Sequence, residues 1–227
     1  MEKRFIECCC TSPYEVAEAA AGGASRAELC ERLDVGGVTP SEENIRESLK
    51  LGIPVNVLVR AREGDFCYNE AEVAEMEGSI RLCRELGVNA VVIGALDADG
   101  NVDMPVMRRL MAAAGDLPVT FHRAFDECAD PVKAFDDILD LAPARLLTSG
   151  HAADALSGAS FIAELVEKSE GKIVIMPGKG VRPSNISEIE KISGAMEFHS
   201  SAHGPDGRTD RRVVSQLVDD PLQVLTK

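Results

Sequence analysis

The chain has 227 residues, of which 45% are hydrophobic and 27% charged, and its net charge is −14. That surplus of acid, with no basic stripe to neutralise phosphates along a backbone, excludes an ordinary nucleic-acid binder. The apolar runs fall far short of the roughly 20 residues of a membrane span, and MEKRFIECC lacks a signal-peptide apolar core, so a cytoplasmic protein with free thiols is expected from its seven cysteines.

Eight short apolar segments read as strands: RFIECC (4–9), RAELC (26–30), PVNVLVR (54–60), NAVVIGA (89–95), PVTFHR (118–123), ARLLTS (144–149), KIVIMPG (172–178) and MEFHSS (196–201). Between them lie segments of helical periodicity, among them SPYEVAEAAAGG, SEENIRESLKLG, NEAEVAEMEGSIRLCRELG, MPVMRRLMAAAG, DPVKAFDDILDLA and RPSNISEIEKIS, often closed by glycine. Strict alternation predicts a parallel sheet, and eight units predict a (β/α)8 TIM barrel formed by one domain over 1–227. The last unit, RTDRRVVSQLVDDPLQ, offers only a reduced helix. A doubly wound open sheet is the alternative, but the glycine-rich turn it needs after the first strand is absent.

Side-chain alternation then sorts the strands, because in a barrel one parity meets the helices and the other points inward. Val55, Val57 and Val59 form the helix-facing parity of the third strand, leaving Asn56, Leu58 and Arg60 inside. The same rule turns Glu7, Glu28, Thr120, His122, Glu197 and His199 inward. Barrel interiors are normally filled by Val, Ile and Leu. The polar set therefore reads either as a buried ion-pair network, with Glu7, Glu28 and Glu197 balancing Arg60 and the histidines, or as a pocket at the C-terminal strand ends, where this fold builds its sites.

The βα loops add candidates. PVTFHRAFD brings His122, Arg123 and Asp126 to one strand end, and RAREGDFCYNE supplies Arg60, Arg62 and Asp65. Thr148 and Ser149 end the sixth strand, while Gly178, Gly180 and Ser200 lie after the seventh and at the end of the eighth, where many barrels hold a phosphate. Glu7, Glu28, His122 and His199 are the proton-transfer candidates, and the loop residues are the ligand-binding ones. A lyase or isomerase acting on a small anionic or phosphorylated metabolite fits this inventory. No cofactor motif is evident.

The motifs AELCERLDVGGVTPS, VRAREGDFCYNEAE, GALDADGNVD, VTFHRAFD, LLTSG, GKGVRP and EFHSSA occur in an order and spacing that strongly resemble the CutC-type copper homeostasis family, almost end to end. The resemblance implies a cytoplasmic TIM barrel linked to copper. Lys179, where the family usually has a smaller residue, Ser200, where Gly is usual, and Ala61, where Pro is usual, depart from the pattern. If Glu7 and Glu28 point inward, Cys9 and Cys30 share their parity and offer two soft thiolates to Cu(I). Neighbouring Cys8 and Cys10 cannot join Cys9, because consecutive side chains alternate faces. The expected partners are a small anionic ligand or Cu(I), and further copies of the chain in a homo-oligomer, with no nucleic acid and no membrane.

Overall fold

A computed structural model describes residues 4–219. The strands are β1 (Phe5–Cys10), β2 (Arg26–Leu29), β3 (Val55–Leu58), β4 (Ala90–Ile93), β5 (Val119–Phe121), β6 (Arg145–Thr148), β7 (Val174–Pro177) and β8 (Glu197–Ser200). They alternate with helices α1 (Pro13–Gly22), α2 (Glu42–Ser48), α3 (Glu70–Leu86), α4 (Met104–Ala114), α5 (Pro131–Leu141), α6 (Ala159–Ser169), α7 (Ile186–Ser193) and α8 (Arg211–Val218). Every ladder is parallel, and the order β7-β6-β5-β4-β3-β2-β1-β8 makes a nearly closed barrel with its seam between β7 and β8. Because β1 pairs with both β2 and β8, the doubly wound alternative is ruled out. The reduced last helix is α8, and residues 220–223 of the expected segment lie outside the described residues. No described helix is long and apolar enough to cross a membrane.

Local chemistry places the elements. Asn69 caps α3 and Glu72 bonds back to the cap amide, a reciprocal capping box. Ser12, Ser41, Asp103, Asp130 and Asp210 accept first-turn amides of α1, α2, α4, α5 and α8 in the same manner. The outward parity Val55, Val57 and Val59 joins one continuous apolar layer with helix residues such as Met76, Ile80, Phe135 and Ile138. Burying each of these side chains contributes roughly 1.5–3 kcal/mol, so this layer carries the fold.

Inside the barrel the chemistry changes. Arg26, fully buried on β2, donates through Nε to Glu7 and through Nη2 to Glu197 at 2.7 Å. Arg145 closes on the same Glu197 oxygen at 2.8 Å, and Asn56, itself held by Asn89, donates to Glu7 at 2.8 Å. This is a buried ion-pair network, but its balancing cations are Arg26 and Arg145; Arg60 takes no part in it. Burial pushes the Glu7 carboxyl up, but the His199 hydrogen bond and the Arg26 charge outweigh it and hold it at about 2.

Two outcomes follow. Arg26→Met leaves the buried Glu7 without its arginine and Glu197 with Arg145 alone, and lowers unfolding free energy by about 3–5 kcal/mol in urea titrations; a loss below about 1 kcal/mol contradicts the network's role. Glu7 has its folded pKa depressed, so its contribution is fully present above the ordinary carboxyl value of 4.5 and is lost as pH falls toward about 2. The urea midpoint of the wild type therefore drops through that window, and Glu7→Gln flattens this part of the pH profile.

Candidate ligand site at the barrel mouth

Arg60 and His122 lie just beyond β3 and β5, whereas Cys9, Glu28, His199 and Ser200 are strand residues. At the C-terminal ends the side chains enclose a cavity of about 500 Å³, lined by residues of β1, β2, β3, β6 and β8 and by the loops after β2, β3, β5, β7 and β8. This is within the roughly 300–1,000 Å³ of small-molecule sites. Glu28, Arg60, His122, Arg123, Gly180, His199, Ser200 and Cys9 line it. Of the residues expected from the strand ends, Glu7 lies beneath the cavity, fully buried, and Cys30 lies beside Cys9 without forming part of the wall.

Arg60 is only 5% exposed, yet no carboxylate of the described residues pairs with it. Instead Nη1 donates to the carbonyls of Val35 (3.2 Å) and Gly37 (3.0 Å), and Nη2 donates to that of Gly64. Its backbone is clamped by reciprocal bonds with the Thr39 hydroxyl at 2.9 and 3.0 Å. Asp65, which feels the Arg60 charge, is exposed and engaged by Arg62 at 2.8 Å. Carbonyl dipoles position the guanidinium without neutralising it, and two of its five N–H groups are left over after these three bonds.

Phe66 is the link between Arg60 and His122. The guanidinium carbon lies 4.7 Å from the Phe66 ring centre, and the His122 ring centre lies 4.9 Å from it on a tilted plane. His122 directly follows β5 and caps the 3-10 turn Arg123–Glu127, its Nδ1 accepting the Ala124 amide at 3.1 Å. An accepting Nδ1 places the ring hydrogen on Nε2. That Nε2 is buried and has no hydrogen-bond partner. Burial, reinforced by the Arg60 charge, pushes the imidazole down to about 3, so His122 is neutral at ordinary pH.

The part of the wall formed by β1, β2 and β8 is acid–base in character. Glu7 accepts from His199 Nδ1 at 2.8 Å, fixing the ring. Although burial works against the charged form of His199, Glu28 and Glu7 raise its pKa overall. Burial raises the Glu28 carboxyl to about 7, and its Oε2 lacks a partner. One ligand atom each from Cys9, Glu28 and His199 lie within 4.8 Å of one another. The Cys9 and Cys30 sulfurs are 3.8 Å apart, and this contact, with burial, raises the Cys9 thiol well above its usual range. Cys8 and Cys10 belong to the apolar layer outside the barrel, as strand alternation requires.

Other expected residues are placed elsewhere. Arg62 and Asp65 do not line the cavity; Arg62 ties its loop to α3 through Glu72 at 2.7 Å. Asp126 turns to the end of β6, where it accepts from the Thr148 hydroxyl at 2.5 Å and the Ser149 amide at 3.0 Å. Thr148 and Ser149 are thus buried structural partners behind the wall. Gly178 packs against Leu147, whose Cδ1 would have to shift to admit a Cβ there, and it does not line the cavity. Ser200 Oγ donates to Val181 at 2.8 Å, bracing the loop after β7. Lys179 sits in that loop with φ +72°, a left-handed backbone that favours glycine, which accounts for its unusual place in the motif.

Several contributors escaped the sequence reading. Arg26 shares the inward parity of Glu28 and was legible on that ground. Arg182, on the rim, and Glu127 were not. Gly94 could be recognised only in three dimensions, because a Cβ at this position would lie 2.6 Å from His122 Nδ1.

The CutC family model matches residues 4–204. A CutC family protein of Parabacteroides distasonis is 51% identical over 202 residues, covering 88% of this chain and 83% of that protein. One from Chromobacterium violaceum is 43% identical, with 88% and 82% covered. A solved structure from Streptococcus agalactiae, whose name as a copper homeostasis protein CutC is itself provisional, shares 32% identity with a TM-score of 0.83 and covers 91% of this chain and 99% of its own. A phosphoribosylanthranilate isomerase from Pyrococcus furiosus, 17% identical with a TM-score of 0.60 and with 95% and 96% covered, shows the shared fold alone. With its motifs, its barrel and most of its length matched, the chain belongs to the CutC family.

Proposed function

We propose that the barrel mouth binds a small anionic ligand, with Arg60 as its anchor. One observation carries this reading: a buried guanidinium that is held by three carbonyls and paired with no described carboxylate. A buried charge without a partner is expensive, and an anion entering the cavity supplies the missing counter-charge. Lys179 and Arg182 add positive charge at the rim of a protein whose overall charge is negative, while Arg123 is paired with Asp126 at 2.9 Å. Glu28 and His199 in the same cavity provide acid–base groups, so a lyase or isomerase acting on an anionic metabolite is the chemistry the site suits.

The thiol pair favours a second reading, Cu(I) as cargo. Two neighbouring sulfurs 3.8 Å apart are a donor set that fits a soft ion, and Cys9 and Cys30 would hold it. Against this, Cys9 is kept protonated by its contact with Cys30 and by burial, and a hard carboxyl, Glu28, is its neighbour.

Thermal-shift titration with phosphate, citrate and a panel of phosphorylated and carboxylated metabolites separates the two readings. The anion site predicts stabilisation that Arg60→Ala abolishes, about 2–3 kcal/mol of binding free energy for a charge-assisted contact, and that Cys9→Ser leaves intact. Arg60→Ala also gives up three carbonyl bonds and the Phe66 contact, so the ligand shift is read against the variant's own apo melting temperature. Stoichiometric Cu(I) binding that survives a competing chelator, is lost in Cys9→Ser, and is accompanied by no response to any anion makes the thiol reading correct instead.

A further inference from the structure

The anion reading leaves unexplained why a second buried donor stands beside Arg60. His122 Nε2 carries a hydrogen, is buried with no protein acceptor, and belongs to a residue that lines the cavity. The ring cannot turn to find another partner: Nδ1 is engaged by the Ala124 amide at 3.1 Å, and Gly94 presses against the Nδ1–Cε1 edge closely enough that even a methyl group would collide. A neutral imidazole fixed by an amide at the start of a helical turn can donate only through Nε2, which is how a histidine polarises a carbonyl without protonating it. The Phe66 ring holds this donor and the Arg60 guanidinium as neighbours, one 4.9 Å and the other 4.7 Å from its centre.

We infer that the ligand is an anionic carbonyl compound, with its anionic group at Arg60 and its carbonyl oxygen accepting from His122 Nε2. This rests on the anion site proposed above and narrows its substrate class. The pair selects a molecule in which a carboxylate or phosphate lies within a few bonds of a ketone or aldehyde, as in 2-oxo acids and hydroxyketone phosphates. A ligand group that only donates, such as an ammonium, would leave the buried Nε2–H unpaired.

Calorimetric titration of the full chain with matched pairs tests the assignment: 2-oxobutyrate against butyrate, 2-oxoglutarate against glutarate, and dihydroxyacetone phosphate against 3-hydroxypropyl phosphate. In at least one pair the carbonyl member binds the wild type about tenfold more tightly, as one net hydrogen bond provides. His122→Phe removes that preference while the other member binds as before, and His122→Gln, which retains an N–H donor, recovers part of it. Equal binding of both members in every pair to the wild type overturns the inference, as does a preference that persists in His122→Phe. Should His122→Phe fail to fold, the wild-type comparison and the Gln variant still decide. Arg60→Ala separates the two levels. If it abolishes binding of both members while the wild type shows no carbonyl preference, the anion site stands and the carbonyl assignment falls; if it changes nothing, or if no pair member binds, the anion site falls and the inference with it.

Discussion

Arg26 sits at the centre of the barrel between Glu7 and Glu197, and the character of the interior depends on that pairing. Barrels of this kind are ordinarily packed with branched apolar side chains; here the floor is a set of paired charges to which Arg145, Asn56 and Asn89 add bonds. The arrangement is poor evidence of added stability, because desolvating such groups offsets much of their attraction. Its consequence is positional. Glu7, pinned by Arg26, in turn pins His199, so the floor sets the orientation of a side chain at the mouth.

With the floor neutralised from within, the mouth is left with charge to spare. Arg60 is fixed by backbone carbonyls from the loops after β2 and β3, and those carbonyls align its guanidinium without cancelling it. Phe66 then spaces Arg60 from His122, whose tautomer is set by the turn it caps. A buried cation and a neutral donor share a cavity of about 500 Å³ with a carboxyl and an imidazole. Such preorganised donors lose little freedom when a ligand arrives, and in a dry cleft each is worth more than in water. The soft pair Cys9 and Cys30 lies against the same wall, which makes the anion and copper readings neighbours in space and experimentally separable through different residues.

Much of this was legible in the chain. Period-two alternation placed Glu7, Glu28, Asn56, Thr120 and His199 inside, since one parity of PVNVLVR was plainly made for helices, and strand–helix alternation set the barrel. Strand parity also identified Cys9 and Cys30 as neighbours apart from Cys8 and Cys10. What alternation cannot convey is pairing. The ion-pair alternative has Arg60 balance the interior acids, whereas Arg26 does so, because partner choice depends on ladder register, which sets Glu7 level with Arg26. Loop residues were harder still: nothing in the sequence distinguishes Arg62, which braces α3, from Arg182, which reaches the rim, and Asp126 turns away from the cavity to tie down β6.

The central claim is that the unneutralised charge of Arg60 is a binding site for an anion. A crystal structure of the protein grown in sulfate or phosphate, compared with one grown in chloride-free buffer lacking both, tests it most directly. The account predicts tetrahedral density in the mouth within hydrogen-bonding distance of an Arg60 nitrogen, with the carbonyl bonds from Val35, Gly37 and Gly64 retained in both crystals. A mouth filled only by water in both, or a guanidinium swung away to pair with Asp65, would contradict it.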